Sequence, residues 1–176
     1  EWVIEPATVE ALPDILKIEE ACFSAPWTRK MLEAELSGNP FAHFLLAKPL
    51  PPCEVDCGSI VAYLCFWVVF EEVRLMNLAV IESMRHKGIA KALVTEALEL
   101  GQAQAAVRAV LEVRASNRAA HALYRSLGFR NVSTRPMYYT NPTDDALLME
   151  LDPIVLESGR STPAAGREGG RIRPLQ

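Results

Sequence analysis

The sequence lacks several features that would assign it to a class directly. Its 176 residues contain only four cysteines, too few for a disulfide scaffold in a chain of this length. No run of about 18 apolar residues occurs, so we expect no transmembrane helix. The first residues show no basic region followed by an apolar one, so no signal peptide is predicted. The net charge of −4 gives no reason to expect nucleic-acid binding. These absences favour a cytoplasmic protein without direct nucleic-acid or membrane contacts.

The remaining composition is that of one globular domain with two irregular segments. Half of the residues are hydrophobic, enough for a sizeable core. Residues 49–58 are rich in proline and predict a surface loop. Its Cys53 and Cys57 lack the second ligand pair of a structural zinc site, so no metal site is predicted. Residues 157–176 carry glycine, proline and a net charge of +2 from four arginines and two glutamates. We therefore predict a domain over 1–153 and a flexible tail over 154–176.

Hydrophobic periodicity predicts alternating strands and helices. Strands are predicted at 2–5, 41–48, 59–70, 73–81, 107–113, 132–139 and 146–151. Helices are predicted at 11–22, 28–37, 88–105 and 117–127. The segment 73–81 is nearly all apolar, which predicts a strand buried on both faces. The pattern indicates an α/β domain with a mixed sheet flanked by helices.

A basic turn with one glycine joins strand 73–81 to the following long helix. Its residues are Arg85, His86, Lys87 and Gly88, followed by Ile89, Ala90 and Lys91. A helix N-terminus offers unpaired N–H groups and the positive end of the dipole, which suits phosphate or pyrophosphate. The alternative is an ordinary turn with a solvated basic cluster. Neither a Walker motif nor a Rossmann fingerprint is present.

Three polar residues lie close to the predicted core further along the chain. Glu112 interrupts an apolar strand, where desolvation would raise its pKa, unless the side chain simply alternates outward. Asn117 and Tyr124 are seven residues apart and share one helix face. Asn117 or Ser116 can cap the helix; a cap on Ser116 would leave Asn117 free. Tyr124 is either a proton donor or a core aromatic with its hydroxyl at the rim.

Several sequence blocks together resemble one enzyme family. The turn Arg85-x-x-Gly88-x-Ala90 resembles the acetyl-CoA signature of the GCN5-related N-acetyltransferases (GNAT). The blocks NLAV at 77–80, LEVRASN at 111–117, ALYRSLGF at 122–129 and the Tyr138-Tyr139 pair are similar to its RimI-like subgroup. That subgroup acetylates the N-terminal alanine of a small-subunit ribosomal protein. The likeness covers about residues 2–152, but Pro136-Met137, residues 49–58 and the tail depart from the family pattern.

The resemblance implies a fold, a cosubstrate and a set of site residues. It implies a mixed, mostly antiparallel sheet of about seven strands with about four helices, whose central strands splay apart to admit acetyl-CoA. The residues it places at acetyl-CoA are Leu78, Ala79, Val80, Arg85, His86, Lys87, Gly88, Ile89, Ala90, Lys91 and Asn117. It implies Glu112 as the general base and Tyr124 as the general acid, with Tyr138 or Tyr139 as the alternative acid. Trp27, Tyr138 and Tyr139 are expected to border the protein substrate.

Two alternatives remain open at the level of the sequence. The acceptor is either a protein N-terminus, a small amine or a lysine side chain. The second alternative belongs to a different functional class: a regulatory module that binds CoA with little turnover. The joint presence of Glu112 and Tyr124 argues against this alternative.

Overall fold

The computed structural model describes residues 1–51 and 59–156. Seven strands form one sheet in the order β1-β2-β3-β4-β5-β7-β6, and only β4 and β5 pair in parallel. The strands are β1 (Trp2–Pro6), β2 (Ala42–Pro49), β3 (Ala62–Val69), β4 (Glu72–Val80), β5 (Arg108–Arg114), β6 (Arg130–Tyr139) and β7 (Asp144–Leu151). The helices are α1 (Leu12–Cys22), α2 (Arg29–Glu33), α3 (Ile89–Ala103) and α4 (Arg118–Ser126). The predicted mixed, mostly antiparallel sheet with four helices is confirmed.

Helices cover the two faces of the sheet and create two apolar cores. On one face, Ile89, Leu93 and Ala97 of α3 are buried against the sheet, as their 3.6-residue spacing predicts. On the other face, Ile15 of α1 and Leu32 of α2 are fully buried. Each buried Ile or Leu side chain among these contributes about 1.5–3 kcal/mol, so the two cores hold the helices to the sheet.

The central strands β4 and β5 separate after a short paired stretch. They pair at only four positions, from Glu72 opposite Arg108 to Leu75 opposite Leu111. On its other side, β4 shifts register against β3, so that Met76 is left out of the ladder as a β-bulge. A bulge bends its strand, and β4 leaves β5 at this point. The predicted splay of the central strands is therefore present, and it opens a cleft between Met76–Val80 of β4 and the end of β5.

Some predicted elements differ from the structure. Strand β4 is not buried on both faces, because Arg74 and Met76 reach solvent where helices α1 and α2 leave the strand uncovered. The strand expected from residue 59 starts at Ala62, and the helix expected over 28–37 ends in a π-helical turn over Ala34–Gly38.

Two predicted segments fall partly or wholly outside the described residues. Cys53 and Cys57 lie outside them, as do residues 157–176 of the expected tail. Ile154 is buried and its N–H donates to the Val107 carbonyl. The domain boundary and the flexible tail stay predictions. Over residues 1–51 and 59–156, no helix is long and apolar enough to cross a bilayer.

Candidate active site

Glu112 lies at the point where the cleft opens. It directly follows Leu111, the last residue of β5 that pairs with β4. Its side chain points to the face opposite Leu111 and Val113, and 29% of it is exposed. The Arg135 guanidinium lies 3.4 Å from its carboxylate. Of the two alternatives that the sequence left open for Glu112, the structure shows the outward one, since the pleat turns the side chain away from the apolar face and beside a cation. The carboxylate remains accessible to a ligand in the cleft.

Tyr124 occupies the other side of the sheet. It is 6% exposed within the core formed by α3 and α4, and its ring packs edge-to-face on Phe129 at 5.6 Å. Burial raises the pKa of the Tyr124 phenol well above its usual value of 10.0. The phenol therefore keeps its proton at neutral pH. Glu112 and Tyr124 therefore lie on opposite faces of the sheet.

The tyrosine pair at the end of β6 lies on the Glu112 side. Tyr139 is half-buried, and its pKa is raised, first by burial and then by the negative charge of Glu112. The Arg114 guanidinium lies over its ring, 4.5 Å from the centroid. Tyr138 is half exposed and meets Arg135 at 5.4 Å. Both tyrosines therefore lie on the same side of the sheet as Glu112.

Hydrogen bonds fix the loop that follows this tyrosine pair. Arg114 donates to the carbonyls of Thr140 at 3.2 Å and Pro142 at 2.8 Å. Asp144 accepts from both the N–H and the hydroxyl of Ser116. The β6–β7 loop is thus tied to the end of β5 independently of any ligand.

The cap of helix α4 is one of the two alternatives that the sequence left open. Asn117, rather than Ser116, is the N-cap, and its side-chain oxygen accepts from the Ala120 N–H at 3.1 Å. The Ser116 hydroxyl instead donates to Asp144. The Asn117 oxygen is therefore engaged in the cap, and its NH₂ group is the part left to meet a cofactor.

The turn before α3 has the geometry of an anion site. Gly88 adopts a left-handed conformation with φ of 80°, which glycine reaches without the strain of other residues, and no side chain caps the helix. The N–H groups of Ile89, Ala90 and Lys91 therefore lie at an uncapped helix N-terminus. His86 and Lys87 are exposed beside them. A Cβ on Gly88 would have no atom within 4 Å, so the space above the turn is open.

The backbone of β4 beyond the bulge borders the cleft with one edge. Leu78, Ala79 and Val80 pair with β3 on one side, whereas β5 no longer pairs with them on the other. The Val80 carbonyl accepts from the Arg85 side chain at 3.0 Å and from the Cys22 thiol at 3.6 Å. Arg85 therefore braces the end of β4.

The acceptor loop, which we define as residues 23–28 between α1 and α2, lies across from the β6–β7 loop. The Ser24 hydroxyl donates to the Asn141 carbonyl at 3.0 Å and so joins the two loops. Trp27 packs partly buried on the core beside α1. Its backbone N–H donates to the Glu19 carboxylate at 2.9 Å. The position of Trp27 at the border of the substrate groove stays a prediction.

Sequence reasoning missed four residues that organise this site: Arg114, Arg135, Ser24 and Glu19. Glu19 carried a readable signal, because it lies four residues after Ile15 on the apolar stripe of α1. A carboxylate on a buried stripe requires partners. The contacts of Arg135 and Ser24 join segments that are far apart in the chain, so no local sequence pattern predicts these contacts.

The chain is similar to known acetyltransferases over most of its length. The Acetyltransferase (GNAT) family pattern matches residues 12–129. A Bacillus subtilis protein described as a putative [ribosomal protein bS18]-alanine N-acetyltransferase is 33% identical over 141 residues, 80% of this chain and 89% of the relative. The Escherichia coli [ribosomal protein bS18]-alanine N-acetyltransferase is 33% identical over 142 residues, 80% of this chain and 90% of the relative. The crystal structure of the Escherichia coli ribosomal-protein-S18-alanine N-acetyltransferase superposes with a TM-score of 0.77 and 27% identity, covering 92% of this chain and 100% of that one.

Proposed function

The chain belongs to the GNAT family of acetyltransferases, and we propose that it transfers the acetyl group of acetyl-CoA to the N-terminal α-amine of a protein. The proposed acceptor is the N-terminal alanine of a small-subunit ribosomal protein, the substrate class named for both relatives. A ribosomal-protein acceptor would place the reaction in the cytoplasm.

The observation that carries this proposal is the position of Glu112 at the mouth of the cleft. The strands separate at Leu75 and Leu111, and the next residue of β5 is a carboxylate turned toward the side of the tyrosine pair. An acceptor amine entering between the acceptor loop and the β6–β7 loop would meet this carboxylate. A module that only bound CoA would need no base at that point.

In the proposed reaction a C–N bond replaces a C–S bond, two protons leave the acceptor nitrogen and one proton reaches the CoA sulfur. Glu112 takes a proton from the acceptor ammonium, directly or through a water, and the free amine attacks the thioester carbonyl. A backbone N–H near Leu78 would stabilise the oxyanion; one such donor is typically worth about 3–4 kcal/mol. The new C–N bond forms, the C–S bond breaks, and Tyr124 gives its proton to the departing CoA sulfur. Glu112 releases its first proton to solvent, then takes and releases the second proton from the acceptor nitrogen, and the Tyr124 phenolate regains a proton from solvent. The net products are the amide, the CoA thiol and one proton.

The cofactor residues divide into two groups in this proposal. The pantetheine arm would pair with the backbone of Leu78, Ala79 and Val80, and Asn117 would meet it through its NH₂ group. The pyrophosphate would rest on the N-terminus of α3, where Arg85, His86, Lys87 and Lys91 supply positive charge and Gly88, Ile89 and Ala90 supply backbone.

A CoA-release assay with matched peptides tests the acceptor. One peptide begins with alanine and contains one internal lysine, a second has the same sequence with a blocked N-terminus, and a third begins with a bulky residue. We expect turnover with the first peptide and none with the blocked one. Turnover that survives blocking would assign the reaction to the lysine side chain. Tight CoA binding without release for any peptide or small amine would support the CoA-binding module instead.

A further inference from the structure

Glu19 is a charged residue in the interior of the domain. In the part of the chain that the structure describes, it is the one buried residue with a charged side chain, and it is 0% exposed. It lies on α1 among the apolar residues that pack this helix on the sheet. Burial raises the pKa of its carboxyl, whereas the hydrogen bonds that it accepts act in the opposite direction. Burial of a carboxyl group costs folding free energy unless the group is fully hydrogen-bonded, so Glu19 requires partners inside the domain.

Three donors converge on the Glu19 carboxylate from three elements. The Tyr63 hydroxyl on β3 and the Asn77 amide on β4 both donate to Oε1. The backbone N–H of Trp27 donates to Oε2 at 2.9 Å. Asn77 also donates to the Tyr63 oxygen at 2.8 Å, which closes the network on the strand side. Oε1 therefore accepts hydrogen bonds from the sheet, and Oε2 accepts one from the acceptor loop.

The two ends of this hydrogen-bond network lie in two parts of the site, strand β4 and the acceptor loop. Asn77 immediately follows Met76, the bulged residue at which β4 departs from β5 and the cleft begins. Trp27 lies in the acceptor loop, whose Ser24 contacts the opposite β6–β7 loop through Asn141. The carboxylate thus spans from the strand that borders the thioester site to the loop that borders the acceptor. None of the proton transfers in the proposed reaction uses it.

We propose that Glu19 is a positioning residue that locks the acceptor loop to the bulged strand β4, so that the acceptor amine is held above the thioester carbonyl. The inference rests on the proposed function for the identity of the acceptor. Small misplacements of a reacting group are sufficient to reduce rates strongly, which gives such a lock a catalytic effect without any contact to substrate.

The substitution Glu19→Gln cuts this lock selectively. An amide at this position keeps one acceptor oxygen for Tyr63 and Asn77, and its NH₂ group then faces the Trp27 N–H, so two donors oppose each other. Glu20→Gln is the matched control, because it makes the same change at the exposed neighbouring residue of α1.

Steady-state kinetics with the alanine-first peptide provide the first readout. We expect Glu19→Gln to raise the peptide KM about tenfold or more, the usual effect of one unpaired buried donor, with the KM for acetyl-CoA within about twofold of wild type. Glu20→Gln should leave both constants unchanged. Equal rises in both KM values, or a loss of thermal stability with unchanged KM values, would reduce Glu19 to a structural residue and overturn the proposal.

Amide hydrogen exchange at Trp27, followed by NMR, provides a second readout that does not depend on turnover. The Trp27 N–H should exchange about tenfold faster or more in Glu19→Gln than in the wild-type protein or in Glu20→Gln. Equal exchange rates would show that the contact does not hold the loop. If wild-type protein fails to acetylate the peptide, the proposed function fails, and the exchange data still decide whether Glu19 locks the loop.

Tyr63→Phe covers the case in which Glu19→Gln does not fold. It keeps the ring in the core but removes the hydroxyl that orients the carboxylate. We expect the same direction of change in the peptide KM and in Trp27 exchange, with a smaller size. A Tyr63→Phe protein identical to wild type in both measurements would contradict the proposal.

Discussion

The Arg135 guanidinium lies 3.4 Å from the Glu112 carboxylate, and this pair connects the edge strand β6 to the mouth of the cleft. More than half of the Arg135 side chain is exposed, and such exposed pairs typically contribute about 0–1 kcal/mol to stability. The contact is therefore of greater consequence for the site than for the fold. It places a cation beside the proposed base and leaves the carboxylate facing the acceptor side.

Glu112→Gln should lower kcat by about 100-fold or more, the usual contribution of a general base, because the amide cannot accept the ammonium proton. Acetyl-CoA affinity should change little, since the proposed cofactor contacts lie on β4 and on the N-terminus of α3. Single-turnover acetylation and a separate acetyl-CoA titration measure the two effects. Glu99→Gln, at an exposed position of α3, is the matched control. Normal turnover in Glu112→Gln would remove this residue from the mechanism.

The fold could be predicted to a large extent, because periodic apolar positions such as Ile89, Leu93 and Ala97 report directly on burial. The catalytic candidates Glu112 and Tyr124 could be identified because they lie in short sequence blocks that resemble those of a known family. The surroundings of those candidates could not be predicted. An apolar run around Glu112 cannot tell which way the strand pleat turns it, and the Arg135 partner comes from a strand reached only after an intervening helix. The sequence left open whether Asn117 or Ser116 caps α4 for a similar reason, since Asp144, which engages Ser116, is distant in sequence.

Tyr124→Phe should slow acetyl transfer by about 10- to 100-fold if the phenol is the acid, with acetyl-CoA binding intact. Because burial raises the Tyr124 pKa, its phenol stays protonated through pH 9. An alkaline decline in kcat below that pH therefore cannot come from this residue. The pH profile of kcat, measured for wild type and Tyr124→Phe, checks both statements.

The matched variants Tyr138→Phe and Tyr139→Phe distinguish the alternative acids. Both residues lie on the Glu112 side of the sheet, so we expect them to affect the peptide KM more than the chemical step. A large fall in kcat in either variant, with normal kcat in Tyr124→Phe, would transfer the acid role to that tyrosine.

Gly88→Ala should weaken acetyl-CoA binding and destabilise the protein by about 1–2 kcal/mol, because a residue with a Cβ is strained at a φ of 80°. The new methyl group itself meets no protein atom within 4 Å, so steric overlap does not contribute. Isothermal titration with acetyl-CoA and urea unfolding measure the two effects.

Gly38→Ala is the control for that substitution, since its added Cβ also meets nothing within 4 Å and Gly38 is not in the left-handed region. We expect no change in acetyl-CoA affinity for this variant. If both alanine variants bind acetyl-CoA as wild type does, the turn before α3 is not part of the cofactor site.

Glu19 should make stability depend on pH with a definite sign. Its pKa is raised above the ordinary value of 4.5, so the folded protein binds this proton more tightly than the unfolded chain does. The stability linked to this proton is fully present below about pH 4.5 and is lost as the pH rises through the raised pKa, by at most about 1.4 kcal/mol per pH unit.

Gln at this position cannot titrate, so the unfolding free energy of wild type relative to Glu19→Gln should fall as the pH rises from about 4.5 through the raised pKa of Glu19. Urea unfolding of the two proteins at a series of pH values measures the difference. A difference that grows with pH would mean that the three donors outweigh burial and that the folded protein prefers the ionised carboxylate.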